Sequence, residues 1–289
     1  MADPKLTSET RAQTMNTQGA GWPTFTVPPL VGRVAIVTGG AKGIGASISS
    51  VLACDGADVV VSGRDADALD RHVASLSSVF PDRDIASIAC DVTDAEDVDR
   101  LVTDTVERFG GIDILVNAAG VTGPIETPAH EVDPDAFRAV LDVNVLGTFL
   151  PCRAAIPQLI AGGRGGRIVN VAGTSGLRGY RNRVAYSSSK WALRGLTRTL
   201  ALELGPYDVT VNTICPNVMH GDRMETIVRE KARKTGRTER DVYDDFAGQT
   251  ALGRFIDDTD VAYALRYLVS DGARNVTGHD IVVDAGWDV

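Results

Sequence analysis

From Arg33 to the C-terminus, short β-branched apolar runs alternate with longer segments whose apolar residues recur at helical spacing. The strand-like runs cover 34–38, 59–62, 85–89, 112–117, 167–171, 209–214 and 281–283, and helical patterns fill 44–55, 66–79, 94–109, 133–161, 184–204 and 258–270. A strand that is apolar throughout has no side suited to water, so both of its faces must be covered, and the intervening helices supply the covers. With right-handed crossovers this predicts an α/β fold, a doubly wound parallel sheet of about seven strands with helices on both faces. No repeat of fixed period and no second composition regime interrupts the pattern, so residues 31–289 read as one domain.

Two stretches fall outside this rhythm. Residues 1–30 are polar, carry scattered Thr, Gly and Pro, and read as a flexible N-terminal extension with Trp22 and Phe25 as candidates to dock on a neighbouring surface. Residues 222–249 carry basic side chains from Arg229 to Arg240, followed by Asp241, Asp244 and Asp245, with enough apolar residues for one or two short helices. Sheets of this kind place binding elements in insertions at the carboxyl ends of strands, so 217–250 is expected to be a substrate lid. A solvated helical excursion is the alternative.

Charge narrows the picture. A net charge of −9 sets the chain against general nucleic-acid binding, because backbone phosphates would be repelled. Cys54, Cys90, Cys152 and Cys215 show no C-x-x-C spacing, and His72, His130 and His279 have no ligand-like arrangement, so no metal site and no disulfide framework is expected. The first thirty residues lack the apolar core of a signal peptide, and no apolar run reaches the ~18 residues of a membrane span. The expectation is a soluble cytoplasmic protein with neither nucleic-acid nor membrane partners.

The first strand runs directly into Thr38-Gly39-Gly40-Ala41-Lys42-Gly43-Ile44-Gly45, and a helix follows. Glycines there permit a tight turn and close approach of backbone to a pyrophosphate, and the helix N-terminus favours anions, so a dinucleotide is expected to bind. In the helix predicted at 184–204, Tyr186 and Lys190 stand four apart on one face. A nearby ammonium favours the phenolate and lowers a pKa that is about 10 in a free tyrosine, which makes the pair suited to moving protons.

The spacing G-x-x-x-G-x-G at Gly39, Gly43 and Gly45, together with Y-x-x-x-K at Tyr186 and Lys190, resembles the short-chain dehydrogenase/reductase family. The likeness continues through Asp91-Val92, Asn117-Ala118-Ala119-Gly120 (Ala118 replacing the family's second asparagine), Asn144 in N-V-L-G, and Cys215-Pro216-Asn217 at the usual P-G turn. It covers the chain from Arg33 to Val289. It implies a Rossmann-type fold and an NAD(P)-dependent alcohol dehydrogenase or ketone reductase. The cofactor contacts it implies come from Gly39, Lys42, Gly43, Ile44 and Gly45, from Arg64, Asp91 and Val92, from Asn117, Ala118 and Gly120, and from Pro216 and Val218, besides Tyr186 and Lys190. Gly63 occupies the usual acid position after the second strand and Arg64 the usual phosphate position. Lys42 adds a second positive charge nearby, so NADP(H) is favoured, with NAD(H) as the alternative, because Asp65 could neutralise Arg64 or cap the next helix.

The resemblance also implies catalytic roles for Tyr186 as general acid or base, for Lys190 and for Asn144. The family's serine, thirteen residues before the tyrosine, falls on Gly173. If the strand persists past Val171, Ser175 shares a face with position 173 and substitutes for it, with Thr174 second. Tyr180, Arg178, Arg183 and His220 flank the expected pocket, Trp191 is expected to pack against the core or a subunit, and Gly221-Asp222-Arg223-Met224 stands where the family often has a threonine-bearing loop. The small-molecule partner is expected to be an alcohol or ketone. The family's habit implies a homo-oligomer, a dimer or tetramer. Gly173 keeps open a second reading, a dinucleotide-binding sensor of weak activity.

Overall fold

The computed structural model describes residues 30–287 and 289; Trp22 and Phe25 lie outside them. The elements run β1 (Val34–Thr38), α1 (Gly43–Cys54), β2 (Asp58–Gly63), α2 (Ala66–Val79), β3 (Ile85–Ala89), α3 (Ala95–Phe109) and β4 (Ile114–Asn117). They continue with α4 (Pro134–Leu141), α5 (Gly147–Gly162), β5 (Arg167–Val171), α6 (Val184–Leu204), β6 (Thr210–Pro216), α7 (Asp222–Thr235), α8 (Glu239–Gly248), α9 (Asp258–Val269) and β7 (Asp280–Val283). Seven parallel strands form one sheet in the order β3-β2-β1-β4-β5-β6-β7.

Alternation along each strand explains why both faces are apolar. On one face Ala35, Val37, Val59, Val61, Ile114 and Val116 pack beneath Ile48 and Leu52 of α1, Leu69 and Leu76 of α2, and Val261 and Leu265 of α9. On the other, Ile36, Val60, Leu115 and Ile168 meet Leu101 of α3, Leu159 of α5 and Leu204 of α6. A strand paired on two sides and buried on both faces can hold only apolar or internally bonded side chains, which accounts for the strand-like runs in the sequence. Helix starts are set by short acidic caps: Asp65 accepts from Ala68 N–H, and Asp94 from Glu96 and Asp97 N–H.

Two details depart from the sequence reading. The single helix expected over 133–161 is α4 and α5 joined through a π-helical turn at Asp142–Leu146. By length and apolarity the stretch Pro134–Gly162 meets the criterion for a membrane span, contrary to the expectation that none would; much of it packs against the sheet and α3. The excursion after β6 is two helices, α7 and α8. They close over a separate apolar cluster of Val218, Val228, Phe246, Phe255 and Trp287.

Candidate active site

The sheet order reverses between β1 and β4, so the chain leaves these neighbouring strands in opposite directions and a crevice opens at their carboxyl ends. A cavity of about 690 Å³ fills it. Gly39 has φ +65°, and a Cβ there would stand 2.8 Å from Ala119 N; one at Gly45 would strike Gly39 O. Only glycine lets β1 turn so sharply and α1 begin so close to the β4 loop. At Gly43 an added Cβ meets nothing within 4 Å. Lys42, at the N-cap of α1, makes no side-chain cap, so the first-turn N–H groups are left for a ligand. These uncapped donors beside an open glycine fit the pyrophosphate of a dinucleotide.

At the mouth beyond β2, Asp65 bonds Lys42 Nζ at 2.7 Å while capping α2. Lys42 and then Ala68 N–H, by hydrogen bonding, hold its carboxyl below the ordinary value. Asp65 therefore both caps the helix and takes Lys42, not Arg64, as its ion partner. The Arg64 guanidinium is largely exposed and only 3.9 Å from Asp91, whose other oxygen accepts from Thr93 N–H and Oγ1.

Tyr186 and Lys190 lie on α6, with Lys190 Nζ 5.6 Å from the tyrosine ring centroid. That ammonium is buried and donates to Val171 O at 3.0 Å. Burial pushes the Tyr186 phenol upward, but the charges of Lys190, Arg223 and Arg183 together outweigh it and hold the phenol below its ordinary value. Burial also lowers Lys190, against the raising influence of Tyr186. The Arg223 guanidinium, in the first turn of α7, donates to Gly120 O at 2.8 Å and carries its charge to the Tyr186 phenol. Arg183 lies over the Tyr186 ring, 4.9 Å from its centroid.

Of the residues expected from sequence, Gly39, Lys42, Gly43, Ile44, Gly45, Arg64, Asp91, Val92, Ala118, Gly120, Pro216 and Val218 line this cavity with Ser175, Tyr186 and Lys190. Asn117 does not. Its side chain points into the core, where Nδ2 donates to Asn170 Oδ1 at 2.9 Å across the β4–β5 pair, and Asn170 in turn donates to Thr197. Its place near the cavity is lost because strand alternation turns it inward. Asn144 is likewise fully buried: Oδ1 accepts from Val121 N–H at 2.8 Å, and Nδ2 donates to Val121 O and Ser189 Oγ. It anchors the Val121 backbone of the cavity wall and does not itself line the cavity.

Ser175 lines the cavity whereas Thr174 is buried off it, its hydroxyl without a partner. Ser175 reaches the cavity by a different geometry than expected, because the strand stops at Val171 and residues Thr174–Gly176 form a 3-10 turn. His220 stacks on Phe255 at 5.0 Å, Tyr180 pairs with Trp287 at 5.9 Å, and Arg178 lies over the Trp287 ring. Trp191 is about half exposed, with Arg194 over its ring, so it does not pack in the core. Among the described residues, no group of three or more His, Cys, Asp or Glu is placed to hold a metal ion.

Arg183 and Arg223 are the cavity residues whose part the sequence reading understated. Arg183, the N-cap residue of α6, lies three positions before Tyr186 and folds over its ring, and the R-x-x-Y-x-x-x-K spacing carries that proximity in the sequence. Nothing local marks Arg223, which the fold of α7 carries to the tyrosine.

Residues 39–288 match the family described as Enoyl-(Acyl carrier protein) reductase. The chain is 35% identical over 260 residues to trans-4-hydroxycyclohexanecarboxylate dehydrogenase of Sinomonas cyclohexanicum, covering 88% of this chain and 92% of the relative. It is 34% identical over 256 residues to L-2,3-butanediol dehydrogenase of Corynebacterium glutamicum, covering 88% and 98%. Among solved structures, NAD+-bound xylitol dehydrogenase superposes with a TM-score of 0.85 at 33% identity, covering 89% of this chain and 99% of that one. An actinorhodin polyketide ketoreductase with NADPH gives 0.83 at 30%, covering 88% and 97%.

Proposed function

The chain belongs to the short-chain dehydrogenase/reductase family, and we propose that it interconverts a secondary alcohol and a ketone, with Tyr186 as the group that moves the proton. The observation that carries this reading is the Tyr186 phenol at the cavity wall, held below its ordinary value against its own burial by three cations. A nicotinamide dinucleotide is the cofactor, and when bound it supplies the hydride acceptor or donor. In oxidation the Tyr186 phenolate takes the hydroxyl proton at Oη; in reduction the phenol returns it to the carbonyl oxygen. Lys190 keeps a positive charge beside the phenolate, its ammonium aimed by Val171 O. Ser175 Oγ is the hydroxyl assigned to steady the substrate oxygen, since Gly173 has none to offer.

NADP(H) is the form we assign. Lys42 is engaged by Asp65, which leaves Arg64, largely exposed and only loosely paired, to receive a 2′-phosphate. α7 and α8 act as the lid: Met224, Ile227 and Phe246 line the cavity, and Lys234 holds the far end of α7 to Ile125 O at 2.6 Å.

A panel of secondary alcohols and ketones, followed by the absorbance of the reduced nicotinamide with each nucleotide, tests the reading. Turnover should fall by a factor of about 10²–10⁴ in Tyr186→Phe. Tight nucleotide binding with no turnover on any member of the panel would instead support a dinucleotide-binding sensor, the reading that Gly173 keeps in play.

A further inference from the structure

The tyrosine half of the cavity is strongly cationic. Arg183 is only 4% exposed, forms no ion pair among the described residues, and leaves its Nε without a partner; the one hydrogen bond of its guanidinium goes from Nη2 to Thr122 O at 3.2 Å. The nearest acid by influence, Glu126, is already within 3.5 Å of Lys231 Nζ. Arg223 is exposed at the cavity wall, forms no ion pair among the described residues, and donates to Gly120 O at 2.8 Å, while its charge acts on the Tyr186 phenol. Asp222 is the carboxylate beside them, and it sits exposed in the first turn of α7, where the helix dipole favours it.

A buried guanidinium without a counter-ion is costly to keep, and its planar donor fork matches the paired oxygens of a carboxylate, as it does those of a phosphate. Burial pushes the Arg183 guanidinium below its ordinary value, and the phenols of Tyr186 and Tyr180 only partly oppose this. Tyr186 cannot serve as a permanent counter-ion, because its proton must come and go in each turnover.

Building on the oxidoreductase reading above, we propose that the substrate is an anion, a hydroxy- or oxo-carboxylate whose carboxylate is bound by Arg183 and Arg223 while its carbinol or carbonyl oxygen meets Tyr186. The two guanidiniums approach the phenol from the ring face and from the lid. The carboxylate and the reacting carbon must then be separated by only a few bonds. Arg223 would complete the site when α7 is in place, so the lid contributes directly to substrate choice.

The test uses the full-length protein saturated with oxidised nucleotide, in which a ketone binds without turning over. Calorimetry compares 4-oxopentanoate with its methyl ester. We expect the acid to bind at least ~10-fold more tightly, the size of one charge-assisted hydrogen bond. Arg183→Gln and, separately, the surface variant Arg223→Gln should each shrink that ratio towards one, with the ester's affinity changing much less. Equal affinity of acid and ester in the unaltered protein overturns the proposal, as does a preserved ratio in Arg223→Gln, which removes no buried group. A lowered Tm with an unchanged ratio in Arg183→Gln would mark that arginine as structural and also overturn it. Steady-state reduction of the same pair separates the two levels of inference. Turnover of neutral ketones without preference for the acid sinks the anion site alone, whereas acid-selective binding with no turnover of either compound sinks the oxidoreductase reading and leaves the anion site standing.

Discussion

Gly173 directs its missing side chain at Tyr186: a Cβ built there lies 3.6 Å from the phenol oxygen and 3.5 Å from Pro216 O, both ordinary contacts. The position is open to a serine in space, though its φ of +153° is one that side chains rarely adopt.

Ser175→Ala should therefore lower kcat by a factor of about 10² if its hydroxyl steadies the developing oxyanion. Adding Gly173→Ser to that variant should restore part of the loss, with a lower Tm from a backbone strain of about 1–3 kcal/mol. Thr174→Ala should leave kcat nearly unchanged, because that hydroxyl lies off the cavity. A larger loss in Thr174→Ala than in Ser175→Ala would reverse the assignment.

For alcohol oxidation, kcat/KM should rise with pH as Tyr186 loses its proton, with a midpoint below that of free tyrosine because the surrounding cations lower the phenol's pKa. Removing a cation raises that pKa, so Arg223→Gln should move the limb to higher pH. A pH–rate profile for each protein checks this; an unmoved or acid-shifted limb would show that Arg223 does not act on the phenol.

Arg64→Ala should raise the KM for NADP by about tenfold, the loss of one charge-assisted contact to phosphate, and change that for NAD little. Because Asp65 caps α2, Asp65→Ala should also cost stability, about 1 kcal/mol in denaturant unfolding. Parallel changes in both nucleotides for Arg64→Ala would remove the basis for preferring NADP(H).

Asn117→Ala separates a core role from a cofactor role. Leaving Asn170 without its donor should reduce unfolding free energy by about 1–3 kcal/mol. Nucleotide affinity, measured by fluorescence titration, should stay within about twofold, since a 1.4 kcal/mol change would be needed for tenfold. A large loss of affinity at unchanged Tm would return Asn117 to the site.

Much of the fold could be read directly from the sequence, because burial on two faces writes continuous apolar runs into strands, and helical periodicity writes spaced ones into helices. The glycine turn and the Tyr186–Lys190 pair were legible for the same reason: each depends on residues close in sequence, whose geometry the backbone sets locally. The inward turn of Asn117 could not be read locally, because a polar residue at a strand end can face inward or outward, and the pairing with Asn170 decides which. Ser175 reached the cavity through a tight turn that strand parity does not describe. The meeting of Arg223 with Tyr186 was beyond local pattern altogether. It depends on where the apolar faces of α7 and α8 settle against Val218, Phe255 and Trp287, and so on packing between segments far apart in the chain.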